Sequence, residues 1–171
     1  MALTQQLARV SPACLERCRE SALDTPGAAP GWDPPDTDLL DTDWGVWGLL
    51  WYARRTGVAE GLTAPIARAV DGDPGGDVGF LDHDEVYDGF GDPPRLLTAQ
   101  SVREVTRALD GIDLDTLLTD LPASPAEAAR ACGFRGFDGD VREYLVRHFH
   151  ALREFYREAA RRGLCVVVWI D

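Results

Sequence analysis

The run Leu-Cys-Val-Val-Val-Trp-Ile at residues 164–170 constrains this chain more than any other stretch. It is continuously apolar and rich in β-branched residues. That is the pattern of a strand covered on both faces, because a strand with one wet face alternates instead. Such a strand needs a pairing partner and two layers of cover. Residues 3–10, LTQQLARV, alternate imperfectly and are the obvious partner. Residues 140–162 supply cover. There Val141, Leu145, His148 or Phe149, Leu152, Phe155 or Tyr156 and Ala159 repeat at helical spacing, and Gly163 stops the helix. We therefore expect an α+β fold. A small mixed or antiparallel sheet pairs the N- and C-terminal strands and packs against several helices. At 171 residues the chain suits a single domain spanning 1–171.

Between these ends the signals are mostly helical. Ser11-Pro12 is an N-cap followed by an N1 proline, and Cys14, Leu15, Cys18 and Ala22 share a face, predicting a helix over 12–22. A loop rich in Pro, Gly and Asp covers 24–38. In 39–57, Asp43 is a candidate N-cap, Trp44, Trp47, Leu50, Trp51 and Arg54 recur at spacings of three and four, and Gly57 ends the run. Pro65 to Val70 reads as one or two helical turns. An acidic segment with Gly and Pro throughout occupies 71–92. Residues 95–98 are extended, and Thr98 caps a helix with Ala99, Val102, Val105, Thr106 and Leu109 inward. Shorter helices are expected near 113–119 and within 122–134.

The formal net charge is −12, and all 17 basic residues are arginine. No basic patch is available for phosphates or anionic lipids, which disfavours nucleic-acid and membrane binding. A basic protein or peptide is the partner this charge suits. No apolar run approaches the roughly 20 residues that span a bilayer, and no leader pattern is visible at the start, so the expected compartment is the cytoplasm. Cys14, Cys18, Cys132 and Cys165 lack the spacing of metal or redox motifs and read as buried, reduced thiols.

Several segments together resemble the YfbM-like family of bacterial proteins of unknown function. They are Val10-Ser11-Pro12-Ala13-Cys14-Leu15, then Leu39-Leu40-Asp41-Thr42-Asp43-Trp44, then Gly89-Phe90-Gly91 followed by Pro94-Arg95-Leu96-Leu97-Thr98. The last is Leu152-Arg153-Glu154-Phe155-Tyr156-Arg157-Glu158-Ala159-Ala160 with Gly163 and the apolar strand. The pieces run in the family's order over nearly the whole length. The resemblance implies a compact α+β bacterial cytosolic domain and carries over no catalytic residue. The family's Gly-Tyr-Gly-Pro-x-Arg turn departs here to Gly89-Phe90-Gly91-Asp92-Pro93-Pro94-Arg95, one residue longer.

Three candidate chemistries follow. The loop DGDPGGDVGFLD at 71–82 matches a calcium loop at Asp71, Asp73 and Gly76. It fails at Gly75 and Gly79, which offer no side-chain oxygen, and at Asp82, where a longer Glu is needed. Only weak divalent-cation binding is expected of it, and no cofactor. Asp82, His83, Asp84 and Asp88 are candidate metal ligands for a metal-assisted hydrolase, a site suiting zinc, manganese or iron. No nucleophile elbow, P-loop or dinucleotide fingerprint occurs. The third feature is aromatic: Trp44, Trp47 and Trp51 form one helical stripe, with Trp32 in the loop before them and Asp41 and Asp43 beside them. The favoured expectation is a non-enzymatic interaction module with an acidic-aromatic face made of Trp32, Asp41, Asp43, Trp44, Trp47, Phe90 and Arg95. An immunity-like inhibitor of a basic toxin is one version. The two alternatives to the interaction module are the metal-assisted hydrolase and a small-molecule binder using a Trp-lined pocket.

Overall fold

The computed structural model describes residues 3–24, 27–58, 60–75, 78–89 and 91–171. Strand β1 (Gln5–Val10) pairs antiparallel with β4 (Cys165–Ile170) along its whole length, from Gln5 opposite Ile170 to Val10 opposite Cys165. The two ends of the chain thus form the centre of the sheet, as expected. Two three-residue strands complete it, β2 (Leu39–Asp41) beside β1 and β3 (Arg95–Leu97) beside β4, in the order β2-β1-β4-β3 with every pair antiparallel.

Because side chains alternate across a strand, β4 sends Val166 and Val168 to one face and Cys165, Val167 and Trp169 to the other. Each set is buried in a different cluster. The larger cluster lies under the helices α2 (Gly45–Arg55), α3 (Glu60–Asp71), α4 (Ala99–Asp110), α5 (Leu114–Leu117), α6 (Pro125–Ala131) and α7 (Val141–Arg162). The smaller one lies under α1 (Pro12–Asp24) and the short turn at Gly79–Leu81.

Local chemistry accounts for most boundaries. Asp140 caps α7 by accepting from the Glu143 N–H at 2.9 Å, and Gly163 leaves the helix in the left-handed region at φ 68°. Phe149 takes the core position that His148 shared in the periodicity, and both Phe155 and Tyr156 are buried. Helix α3 is longer than the turns expected from Pro65 to Val70. Pro65 sits inside it because the one donor it withholds would have met the carbonyl of Gly61, an exposed residue near the helix start.

The end of α3 ties the helical layer together. The Asp73 N–H turns away to the Leu96 carbonyl, so the Ala69 carbonyl loses the donor that a continuing helix would supply. Tyr156, fully buried on α7, donates its hydroxyl to that carbonyl at 2.6 Å. Tyr156→Phe is expected to cost about 1–3 kcal/mol in urea unfolding, because it strands a buried acceptor without changing the packed volume.

Candidate functional site

Helix α2 is amphipathic with its apolar face inward, yet Trp47 and Trp51 on it and Trp44 at its N-cap border a surface cleft. Trp44 is 38% and Trp51 51% exposed, while Trp47 is half-buried. The facing wall comes from far along the chain, from Cys132–Phe137 after α6 and from Tyr144 on α7. Together they enclose a cleft of about 690 Å³. Phe134, Phe137 and Tyr144 pack mutually, with centroids 4.9–5.5 Å apart. Glycines make the approach feasible. A Cβ on Gly48 would overlap the Phe134 ring, and Gly133, at φ 77°, lies against the Trp51 indole.

The polar edge is built around Asp43. Its expected role as the α2 cap is not what the structure has: Trp44 occupies the cap position without a side-chain cap bond, and Asp43 stands in the left-handed region at φ 48°. The reason is local. The Asp41 carboxylate accepts the Asp43 N–H at 2.6 Å, turning the chain before the helix begins. Asp43 Oδ2 then accepts from the Tyr144 hydroxyl at 2.8 Å, and the hydroxyl oxygen accepts in turn from the Trp44 N–H at 3.3 Å. Burial, followed by the Asp43 hydrogen bond and charge, pushes the Tyr144 phenol far above its ordinary value. Tyr144 is therefore a fixed donor to Asp43 and not an acid at neutral pH.

Beside it, His148 packs its ring 4.5 Å from that of Tyr144 and against Gly45. Burial, then Arg147, holds its imidazole below the ordinary value of 6.5, opposed by Asp43 and Asp41. A folded value below the unfolded one favours the neutral ring. His148 thus contributes stability that is present above pH 6.5 and lost as pH falls through the folded value. His148→Gln is expected to remove this part of the wild-type stability loss in denaturant titrations run below pH 6.5.

Only part of the expected constellation assembles here. Asp43, Trp44 and Trp47 line the cleft, and Trp51 joins them. Asp41 adjoins through its bond to Asp43. Trp32 does not join: it stacks edge-on against Trp169 at 6.2 Å, in the cluster on the opposite face of the sheet. Arg95 borders a separate cavity of about 150 Å³ with Asp71, Gln5 and Trp169, which touches the cleft only through Trp47. Trp47 is held there by its indole N–H, which donates to buried Gln5 at 3.0 Å. Phe90 lies outside the described residues. The facing wall, Phe134, Arg135, Phe137 and Tyr144, is not among the expected residues. Its sequence signal is the aromatic pair bracketed by glycines in Gly133-Phe134-Arg135-Gly136-Phe137.

Two of the four side chains considered as metal ligands, Asp82 and His83, serve other bonds. Asp82 accepts from Tyr87 at 2.6 Å, and His83 Nδ1 accepts from the Glu85 N–H at 3.1 Å. Asp84 makes no hydrogen bond among the described residues. Asp88 donates its backbone N–H to Asp171 at 2.8 Å. Among the described residues, no three His, Cys, Asp or Glu side chains converge as a metal group. In the calcium-like loop, Asp73 is held by Arg68 through two bonds at 2.6 and 3.0 Å, while Gly76 and Asp77 lie outside the described residues. The cysteines are free thiols, Cys18, Cys132 and Cys165 buried and Cys14 half-buried. Among the described residues, no helix is long and apolar enough to cross a membrane.

Fold and cleft define an α+β protein with an aromatic surface cleft. The family described as a domain of unknown function, DUF1877, matches residues 79–169, more than half of the chain, and the protein belongs to that family. Its fold is that of YfbM, a protein of unknown function from Escherichia coli known from its crystal structure. The two share 18% identity with a TM-score of 0.59, over 98% of this chain and 99% of that one. No protein with a curated description matches. The family match includes the Phe134–Tyr144 wall of the cleft and begins after the tryptophan wall.

Proposed function

We propose that the protein is a non-enzymatic interaction module whose aromatic cleft receives a segment of a basic protein or peptide. The observation that carries this reading is the exposure of Trp44 and Trp51 across from Phe134 and Phe137 in a cleft of about 690 Å³. Exposed tryptophans grouped in a concave site are characteristic of binding anchors, since their large faces give contact area at little entropic cost. Asp43 lines the same cleft, and the chain's net charge of −12 favours a cationic partner at long range.

A random peptide library panned at low salt tests the reading, with Trp51→Ala as the counter-selection. Trp51 is about half exposed, so the variant is expected to stay folded with a stability loss of about 1–3 kcal/mol in urea unfolding. Enriched peptides are expected to be basic, to bind less tightly as salt rises, and to lose at least about tenfold in affinity on Trp51→Ala. No enrichment, or peptides indifferent to Trp51→Ala, contradicts it. Enrichment of neutral apolar sequences alone points to the cleft as a small apolar-ligand pocket.

A further inference from the structure

The geometry points to an arginine side chain as the group that the cleft receives, seated between the aromatic walls with its guanidinium on Asp43; this rests on the binding role proposed above. The cleft holds six aromatic residues, three tryptophans on one side and Phe134, Phe137 and Tyr144 on the other. Aromatic faces carry negative partial charge, and a planar guanidinium stacks on them better than a hydrated ammonium does.

The carboxylate is prepared for such a group. Tyr144 occupies Asp43 Oδ2, and Oδ1 accepts no hydrogen bond among the described residues. The left-handed backbone at Asp43, the Asp41 bond to its N–H and the Tyr144 bond to its side chain all fix where that free oxygen stands. An apolar ligand would leave it buried and unpaired, whereas a guanidinium satisfies it with a charge-assisted bond.

The cleft is also larger than one side chain, so the arginine arrives as part of a chain segment. Arg135, the only cation among the lining residues, makes no ion pair or hydrogen bond among the described residues. It disfavours a run of positive charges and offers donors to a carbonyl or carboxylate of the incoming segment. The occupant is therefore a segment with a single anchoring arginine, not a polybasic stretch.

Three blocked hexapeptides test this by tryptophan fluorescence: one with a central arginine among alanines and serines, its citrulline twin and its leucine twin. Citrulline keeps the shape and removes the charge. The arginine peptide is expected to bind at least tenfold more tightly than either twin. Asp43→Asn keeps a residue suited to the left-handed backbone and an acceptor for Tyr144 while removing the charge. It is expected to weaken the arginine peptide at least fivefold and leave the citrulline twin unchanged. Equal binding of the three peptides, no effect of Asp43→Asn, or no binding of the arginine peptide overturns the inference. The broader binding role fails separately, when the library yields nothing that depends on Trp51.

Discussion

Alanine at Gly45 is expected to destabilise the protein by about 2–3 kcal/mol, although alanine is the better helix former by about 1 kcal/mol. A Cβ there would lie 2.5 Å from His148 Cβ and 2.6 Å from its Cγ. The His148 Cβ is fixed by the α7 backbone, so no rotamer change moves it aside. Either α2 or α7 must retreat, and α7 is held by fully buried Leu145, Phe149 and Leu152. The expected fall in Tm is about 6–10 °C for a chain of this size. Gly61 in α3 is the internal control, since a methyl group placed there would meet nothing within 4 Å. Gly61→Ala is expected to stabilise by up to about 1 kcal/mol. Opposite signs for one substitution in two helices separate packing from propensity. Because α2 carries Trp51 and Trp44 lies at its start, Gly45→Ala is also expected to disturb the cleft.

Asp38→Asn is expected to cost about 2–3 kcal/mol at neutral pH. Asp38 is 5% exposed, and its carboxylate accepts two bonds from Arg162, at 2.5 and 3.0 Å, with the Arg9 guanidinium at 3.1 Å. Arg9 is itself largely buried, lying 4.6 Å over the Phe155 ring and donating also to the Thr37 carbonyl. Without the anion its charge stays desolvated. Arg162 is more exposed and recovers water, which keeps the cost below that of a fully buried pair. The Arg162 hydrogen bonds, against the burial cost and with the charges of Arg162 and Arg9, hold the Asp38 carboxyl below its ordinary value of 3.8. A folded value below the unfolded one means that the stabilisation is present above pH 3.8 and lost as pH falls through the folded value. The gap between wild type and Asp38→Asn is therefore expected to be constant near neutrality and to close in acid, as read by denaturant midpoints across pH.

What the sequence makes legible follows from the range of its signals. The doubly buried run 164–170 and the periodicity of 140–162 are strong local patterns, and both appear where expected. Strand β2 is three residues long, too short for alternation to register, whereas β3 falls inside the extended stretch expected over 95–98. The tryptophan stripe is readable as a face of α2, but nothing local indicates what lies across from it. Phe134 and Phe137 sit in a loop without periodicity, more than 80 residues beyond Trp51, and only the packing of α6 and α7 on α2 brings them opposite. Trp32 illustrates the reverse. It is near Trp44 in sequence, yet β2 and β1 intervene, and it packs on the other face of the sheet. Asp43 reads locally as a helix cap, and its neighbour Asp41 instead turns it outward into the cleft edge.

Binding at the aromatic cleft is read from the five tryptophan indole N–H signals in a 1H–15N NMR spectrum. The titrant is the tightest peptide recovered from the library. The Trp44 and Trp51 signals are expected to shift along a common saturation curve, while those of Trp32 and Trp169, on the far face of the sheet, stay in place. Shifts at Trp32 and Trp169 with none at Trp44 and Trp51 would contradict binding at the cleft.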